Sequence, residues 1–127
     1  MTIQEAIDRV DILKPNHFTF EDKVKWLSQL DGQIYSDIIL AHEKAEGTPD
    51  SFAGYDNDTW PDVELLVPFP YSDDIYVYYL AAQIDLGNAE ISKYNNDKTL
   101  YNTALQTYQN YYNRNHMPVQ RVRDFRL

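Results

Sequence analysis

Three histidines, His17, His42 and His116, are the side chains best placed by type to ligate a metal or move a proton near neutral pH. Their spacing serves neither purpose, because no Glu-x-x-His or His-x-x-x-His pair sets two ligands on one helical face. His17 falls in a turn, His42 near a helix end and His116 just before the tail, so each reads as a capping or surface residue. The chain has no cysteine, which removes disulfides, thiolate metal sites and cysteine nucleophiles, and fits a reducing compartment. Asp56-Asn57-Asp58 offers oxygen ligands of the kind calcium takes, but Pro61 stands at the sixth place and Val67 at the twelfth. An EF-hand loop needs glycine and glutamate there, so the cluster reads as a solvated acidic loop. No pair of carboxylates is singled out for glycosidase-like chemistry, and neither a nucleophile elbow nor a phosphate-cradling glycine loop is present. These patterns predict a protein without enzymatic activity, cofactor or metal, and turn attention to packing and assembly.

The stretch that invests most in surface rather than chemistry is Leu65–Asn95, with its proline-punctuated entry, tyrosine-rich helix and polar stop. The whole chain holds 11 tyrosines. Tyr71, Tyr76, Tyr78 and Tyr79 point in several directions around one helical cylinder, so they cannot all enter one core. Tyrosine suits an interface because a large ring is buried while the hydroxyl still finds a partner. Tyr71, Tyr78, Tyr79, Tyr111 and Tyr112 are therefore the candidates for contacts between subunits.

The elements that must position these residues are helical. Thr2-x-x-Glu5 is a capping box, and Ile3, Ala6, Ile7 and Val10 follow at helical spacing, which predicts a helix over residues 3–13 ended by Lys14-Pro15-Asn16. Thr19-x-x-Asp22 opens a second helix whose apolar stripe runs Phe20, Val24, Leu27, Leu30, Ile34, Ile38 and Ala41. Gly32 lies inside it at a cost of about 1 kcal/mol relative to alanine, which predicts close packing or a bend. Periodicity then vanishes through a turn-rich loop over residues 44–70, in which Val63–Val67 has the composition of a short strand. Ser72 or Asp73 would cap a third helix with Tyr76, Leu80, Ile84, Gly87, Ile91 and Tyr94 on its inner face, Gly87 admitting a neighbouring helix. Asn95-Asn96 would turn the chain, and Asp97 would cap a fourth helix carrying Leu100, Tyr101, Ala104, Leu105, Tyr108, Tyr111 and Tyr112 up to Met117-Pro118. The expected fold is all-α: a short first helix, a long second, and an antiparallel hairpin of the third and fourth.

Length and charge set the remaining bounds. The 127 residues make one domain by size, here residues 1–118, followed by a docking tail over 119–127. Net charge is −9, which argues against a general nucleic-acid binder. No window approaches a membrane span and the N-terminus lacks the form of a signal peptide, so a cytoplasmic protein is expected. The charge is unevenly spread: Arg114–Leu127 carries four arginines against Asp124, while the loop carries seven acids between Glu43 and Glu64 against Lys44. Asp50, Asp56, Asp58, Trp60 and Asp62 mark that loop as a candidate contact, and Val119, Arg121, Val122, Arg123, Phe125, Arg126 and Leu127 mark the tail as another. An alternative is an acidic DNA mimic that inhibits a host nuclease or DNA-binding protein. The basic tail and the concentration of acids in one loop count against it.

The order IQEAIDRVDILKP, WLSQLDGQIYSDII, acidic loop, LLVPFPYSDDIYVYYLAAQIDLGNAEISKYNN and TALQTYQNYYNRNHMP resembles head–tail connector proteins of tailed bacteriophages. More narrowly, it resembles the small adaptors of siphophages and prophages of Gram-positive bacteria, from about Thr2 to Pro118. The resemblance implies a helical subunit that joins others in a ring, commonly of twelve, beneath the portal protein in the neck of the virion. It implies that such a ring extends the DNA channel and carries the next stopper or tail-completion protein, with DNA passing through unbound. On that reading Val119–Leu127 would dock on the portal, and Lys44–Pro70 would project toward the channel or the ring below.

Overall fold

The computed structural model describes residues 1–42, 51–56 and 60–116, the side chain of Trp60 excepted. Four α-helices make up its frame: α1 over Ile3–Leu13, α2 over Phe20–Ile34, α3 over Ser72–Gly87 and α4 over Ile91–Asn115. No strand occurs among the described residues, and no helix there is long and apolar enough to cross a membrane.

The capping box of α1 is complete. Thr2 Oγ1 accepts the Glu5 N–H and the Glu5 carboxylate accepts the Thr2 N–H, which satisfies two amides that a helix start leaves open. Ile3, Ala6, Ile7 and Val10 are fully buried, as their spacing predicts. At α2 the Thr19 hydroxyl accepts the Asp22 N–H.

The stripe of α2 departs from expectation at both ends. Phe20 opens the helix half exposed, and Ala41 is exposed beyond its end. The second departure has a backbone cause. After Ile34 the chain widens into a π turn over Tyr35–Ile39, where the Leu40 N–H reaches Tyr35 O at 2.9 Å. A π turn inserts an extra residue per turn, so Tyr35, Ile38 and Ile39 all face inward and the register of a simple stripe is lost before Ala41. A Cβ at Gly32 would meet only the Phe52 ring, at 3.7 Å, where that ring returns from the loop to lie on α2.

The boundary between the third and fourth helices also differs from the predicted one. α3 stops at Gly87, and the turn runs through Ala89 at φ 59°, with Asn88, Ala89 and Glu90 donating to Ile84, Leu86 and Asp85 carbonyls. Ile91 and Tyr94 therefore belong to α4, and Asn95-Asn96 lies within it rather than at a turn. Asp97 is no cap: it is buried in the second turn of α4. Gly87 faces the Phe18 ring from the α1–α2 connection instead of another helix, and a Cβ there would come within 2.4 Å of Phe18 Cζ. Neither Ser72 nor Asp73 caps α3, whose N-cap position is Tyr71, with the Tyr71 and Ser72 amides both on Pro68 O. Ser72 is buried, and Asp73 instead reaches Arg9 of α1 at 2.5 Å.

α3 and α4 share the most extensive interface of the fold. The start of α3 meets the far end of α4 through Tyr71 against Tyr108 and Tyr111, and its middle meets Tyr101 through Tyr79. α1 packs across α3. The segment expected to form a strand makes one antiparallel bridge, Thr2 to Glu64, with the Ile3 amide on Val63 O and the Leu65 amide on Met1 O. Val67 is fully buried and Leu65 nearly so. Over residues 51–56 and 63–67, then, the long connection lies on the helices.

Candidate functional site

Two groups of buried charge and two groups of exposed apolar side chains stand out. The first group of charge centres on Asp31, which is 0% exposed. Its Oδ1 accepts the Tyr76 hydroxyl at 2.6 Å, and its Oδ2 accepts the Tyr55 hydroxyl and the Leu66 N–H, the latter at 3.0 Å. The Tyr76 oxygen in turn accepts the Val67 N–H at 2.8 Å. Burial raises the Asp31 pKa and the three donors oppose that rise; burial and the Asp31 charge together push both phenols above their ordinary range. Every donor comes from the protein itself, so the carboxylate acts as a pin joining α2, α3 and the connection between them.

The second group lies where α1 ends and α3 turns into α4. Lys14 Nζ stands 3.0 Å from Asp85 Oδ2 and 3.6 Å from Asp97 Oδ2. Both carboxylates are buried, and neither Oδ2 has a partner with hydrogen-bonding geometry, so the lysine acts by charge. Burial and the neighbouring Asp85 push Asp97 up to about 6, against the pull of the Lys14 charge. Burial works against the Lys14 ammonium, yet the two acids beside it outweigh that cost and its pKa is raised. Among the described residues no cluster of three or more histidine, aspartate or glutamate side chains could hold a metal ion.

The histidines divide. His17 is an exposed turn residue. His42, expected at the surface or as a cap, is buried with Nδ1 2.6 Å from Ile38 O and Nε2 2.6 Å from Asn113 Oδ1, tying the π turn to α4. His116 stacks on Tyr112 at 3.9 Å.

The tyrosines proposed for subunit contacts form much of the α3–α4 seam. Tyr112 is buried, and Tyr71, Tyr78, Tyr79 and Tyr111 are half-buried against the core. Tyr71 rests on Tyr108 and Tyr111, Tyr79 on Tyr101, and Tyr112 on Tyr108. Burial raises Tyr101 to about 12 and takes Tyr108 higher still. Within the subunit α4 supplies rings against Tyr71 and Tyr79, while Tyr78 lines an open groove between the two helices. Of the loop candidates, Asp56 and Asp62 are exposed and Trp60 opens a short 3₁₀ turn over Trp60–Asp62. Asp50 and Asp58 lie outside the described residues, as do the tail candidates Val119, Arg121, Val122, Arg123, Phe125, Arg126 and Leu127.

Besides Phe20, Leu40 and Leu100, the large exposed apolar side chains sit near the two ends of α3. Phe69, 80% exposed, precedes its first turn beside Pro70. At the other end Leu86 and Ile91 flank the α3–α4 turn, and Ile12 and Leu13 close α1 next to Lys14, which reaches across to Asp85 and Asp97. α3 has 16 residues, so the two ends are separated by about 24 Å.

Sequence reasoning passed over Asp31 and Asp85, and gave Asp97 only a capping role. The signal for Asp31 was present, since it lies four residues after Leu27 and seven after Val24, on the apolar face of α2. An acid on such a face requires donors, and only the folded chain shows that Tyr55 and Tyr76 supply them. Comparison with protein-family models, with curated proteins and with solved structures finds no match.

Proposed function

We propose that this chain is a structural subunit of a phage head–tail connector: a helical adaptor that assembles as a ring beneath the portal and joins capsid to tail. The observation that carries the reading is the pair of dissimilar apolar patches at opposite ends of α3, Phe69 with Pro70 at one and Leu86, Ile91, Ile12 and Leu13 at the other. Unlike patches on one subunit favour heterologous contact, which closes into rings when the rotation between copies permits. Large apolar side chains left in water at defined places mark association surfaces. The buried polar groups serve the subunit's own cohesion, as a building block requires. The sequence resemblance supplies the identity of the assembly, and the acidic body suits a channel wall that repels DNA phosphate.

On this reading the free protein is monomeric or weakly associated, and the portal orders it into a ring. Electron microscopy of the protein mixed with a cognate portal tests this directly. Rings seated on the portal are expected, and they should disappear with Leu86→Asp plus Ile91→Asp while the helical circular dichroism is kept. A protein that never associates with portal or with itself would overturn the reading.

A further inference from the structure

A shallow groove of 390 Å³ runs between α3 and α4, floored by Tyr71, Tyr78, Leu100 and Ala104, with Pro70 at its mouth and Asp74 on its rim. Leu100 is left 39% exposed in it. α4 delivers the chain to the mouth of this groove: Tyr111 stacks on Tyr71 at 4.9 Å, and His116 lies on Tyr112 one turn further on. We propose that the chain's own C-terminal residues 119–127 fold back along α4 and occupy this groove, with Val122 and Phe125 as apolar anchors.

Three observations point to that occupant. The first is reach. From Asn115 back to Thr107 is about 12 Å along the helix and to Leu100 about 22 Å. Met117-Pro118 can reverse the direction, and the nine residues that follow span up to about 30 Å when extended. The second is pattern. Val119, Val122 and Phe125 recur every third residue, a spacing that would bring them to one edge if the bound segment took three residues per turn. Arg123 and Arg126 then share a second edge. The third is charge: residues 117–127 carry three arginines against Asp124, whereas residues 1–116 hold 8 basic and 19 acidic residues, and the groove's rim presents Asp74. A basic apolar segment and a largely apolar groove that carries Asp74, joined covalently a few residues away, meet at high effective concentration.

The proposal concerns the isolated chain and does not depend on the connector reading. In the connector, portal binding would have to displace this contact, so the groove would act as a holding site for the docking segment.

The absence of native cysteine makes the test direct. In the full chain, Thr103→Cys is paired with Asp124→Cys, and Lys25→Cys with Asp124→Cys serves as the reference on α2. Thr103 and Lys25 are both exposed, so neither change disturbs the core. Under mild oxidation the Thr103/Asp124 pair is expected to close within one molecule about tenfold faster than the reference, and Phe125→Asp is expected to remove that advantage. Equal rates, or no disulfide, overturn the proposal. A disulfide formed between two molecules also overturns it, and assigns the groove to the tail of a second copy.

Discussion

Asp31 and the Asp85–Asp97 pair are both acids taken out of water, and the fold treats them in opposite ways. Asp31 is surrounded by three neutral donors, two phenols and an amide, each aimed at one of its oxygens. Asp85 and Asp97 share one lysine, with an oxygen of each lacking any directed hydrogen bond. A carboxylate held by directed donors is a positional device, since moving any donor leaves a buried group unsatisfied. A pair of acids held by one cation is a charge balance that a proton can alter. The first fixes where the long connection lies; the second leaves the α1 and α3–α4 end responsive to pH.

The contrast can be broken at its stronger side first. Asp31→Ala strands the Tyr55 and Tyr76 hydroxyls and the Leu66 amide together, and is expected to cost roughly 3 kcal/mol or more in urea unfolding. A loss under 1 kcal/mol would show that the pin contributes little. Tyr76→Phe removes one donor to Asp31 and the acceptor of the Val67 amide while keeping the ring, and should cost about 1–2 kcal/mol. Hydrogen exchange at Val67 should rise with it, and unchanged protection there would argue against the network.

At the other centre Gly87→Ala tests the wedge that holds the Lys14 segment in place. The new Cβ meets the Phe18 ring, itself packed edge-on to Trp26 at 5.2 Å, so the gain in helix propensity should be outweighed by a net loss of about 1 kcal/mol. A stabilised Gly87→Ala variant would mean that Phe18 moves freely. The smallest effect, and the one of opposite sign, is expected from Asp97→Asn. The folded pKa of Asp97 is raised to about 6 from an ordinary 3.8, so the folded state binds the proton more tightly than the unfolded one. This contribution to stability is fully present below pH 3.8 and is lost as pH rises through 6. Asp97→Asn should therefore unfold at a higher temperature than the parent at pH 8, with the gap narrowing below pH 6. A gap that widens in acid would reverse the assignment.

How much was legible in advance varies by element. Thr2 and Glu5 announced α1 because a capping box is a local device, closed within four residues. The stripe of α2 was readable until Tyr35, where the extra residue of the π turn broke a count that assumes regular helix. The α3–α4 turn was misplaced because Asn95-Asn96 has the composition of a turn while Ala89 does not. The helix is already running by then, from Ile91 with the Tyr94 amide on Glu90 O, and passes through Asn95-Asn96 in spite of that composition. Of the candidate contact residues, the tyrosines were correctly seen to radiate around α3, but their partners could not be read. Tyr71 and Tyr79 meet tyrosines of α4, some thirty residues away in the chain, and Tyr76 meets Asp31 of α2.

The sequence by itself determined the helical class, the starts of α1 and α2 set by local caps, and the division between acidic body and basic tail. Each of these depends on neighbours within a turn or two, or on composition alone. Tertiary structure decided which acids are buried, which tyrosines face one another and which apolar side chains remain in water. Those outcomes depend on donors, rings and surfaces brought together from distant parts of the chain, as when Tyr55 and Tyr76 converge on Asp31 across spans of 24 and 45 residues.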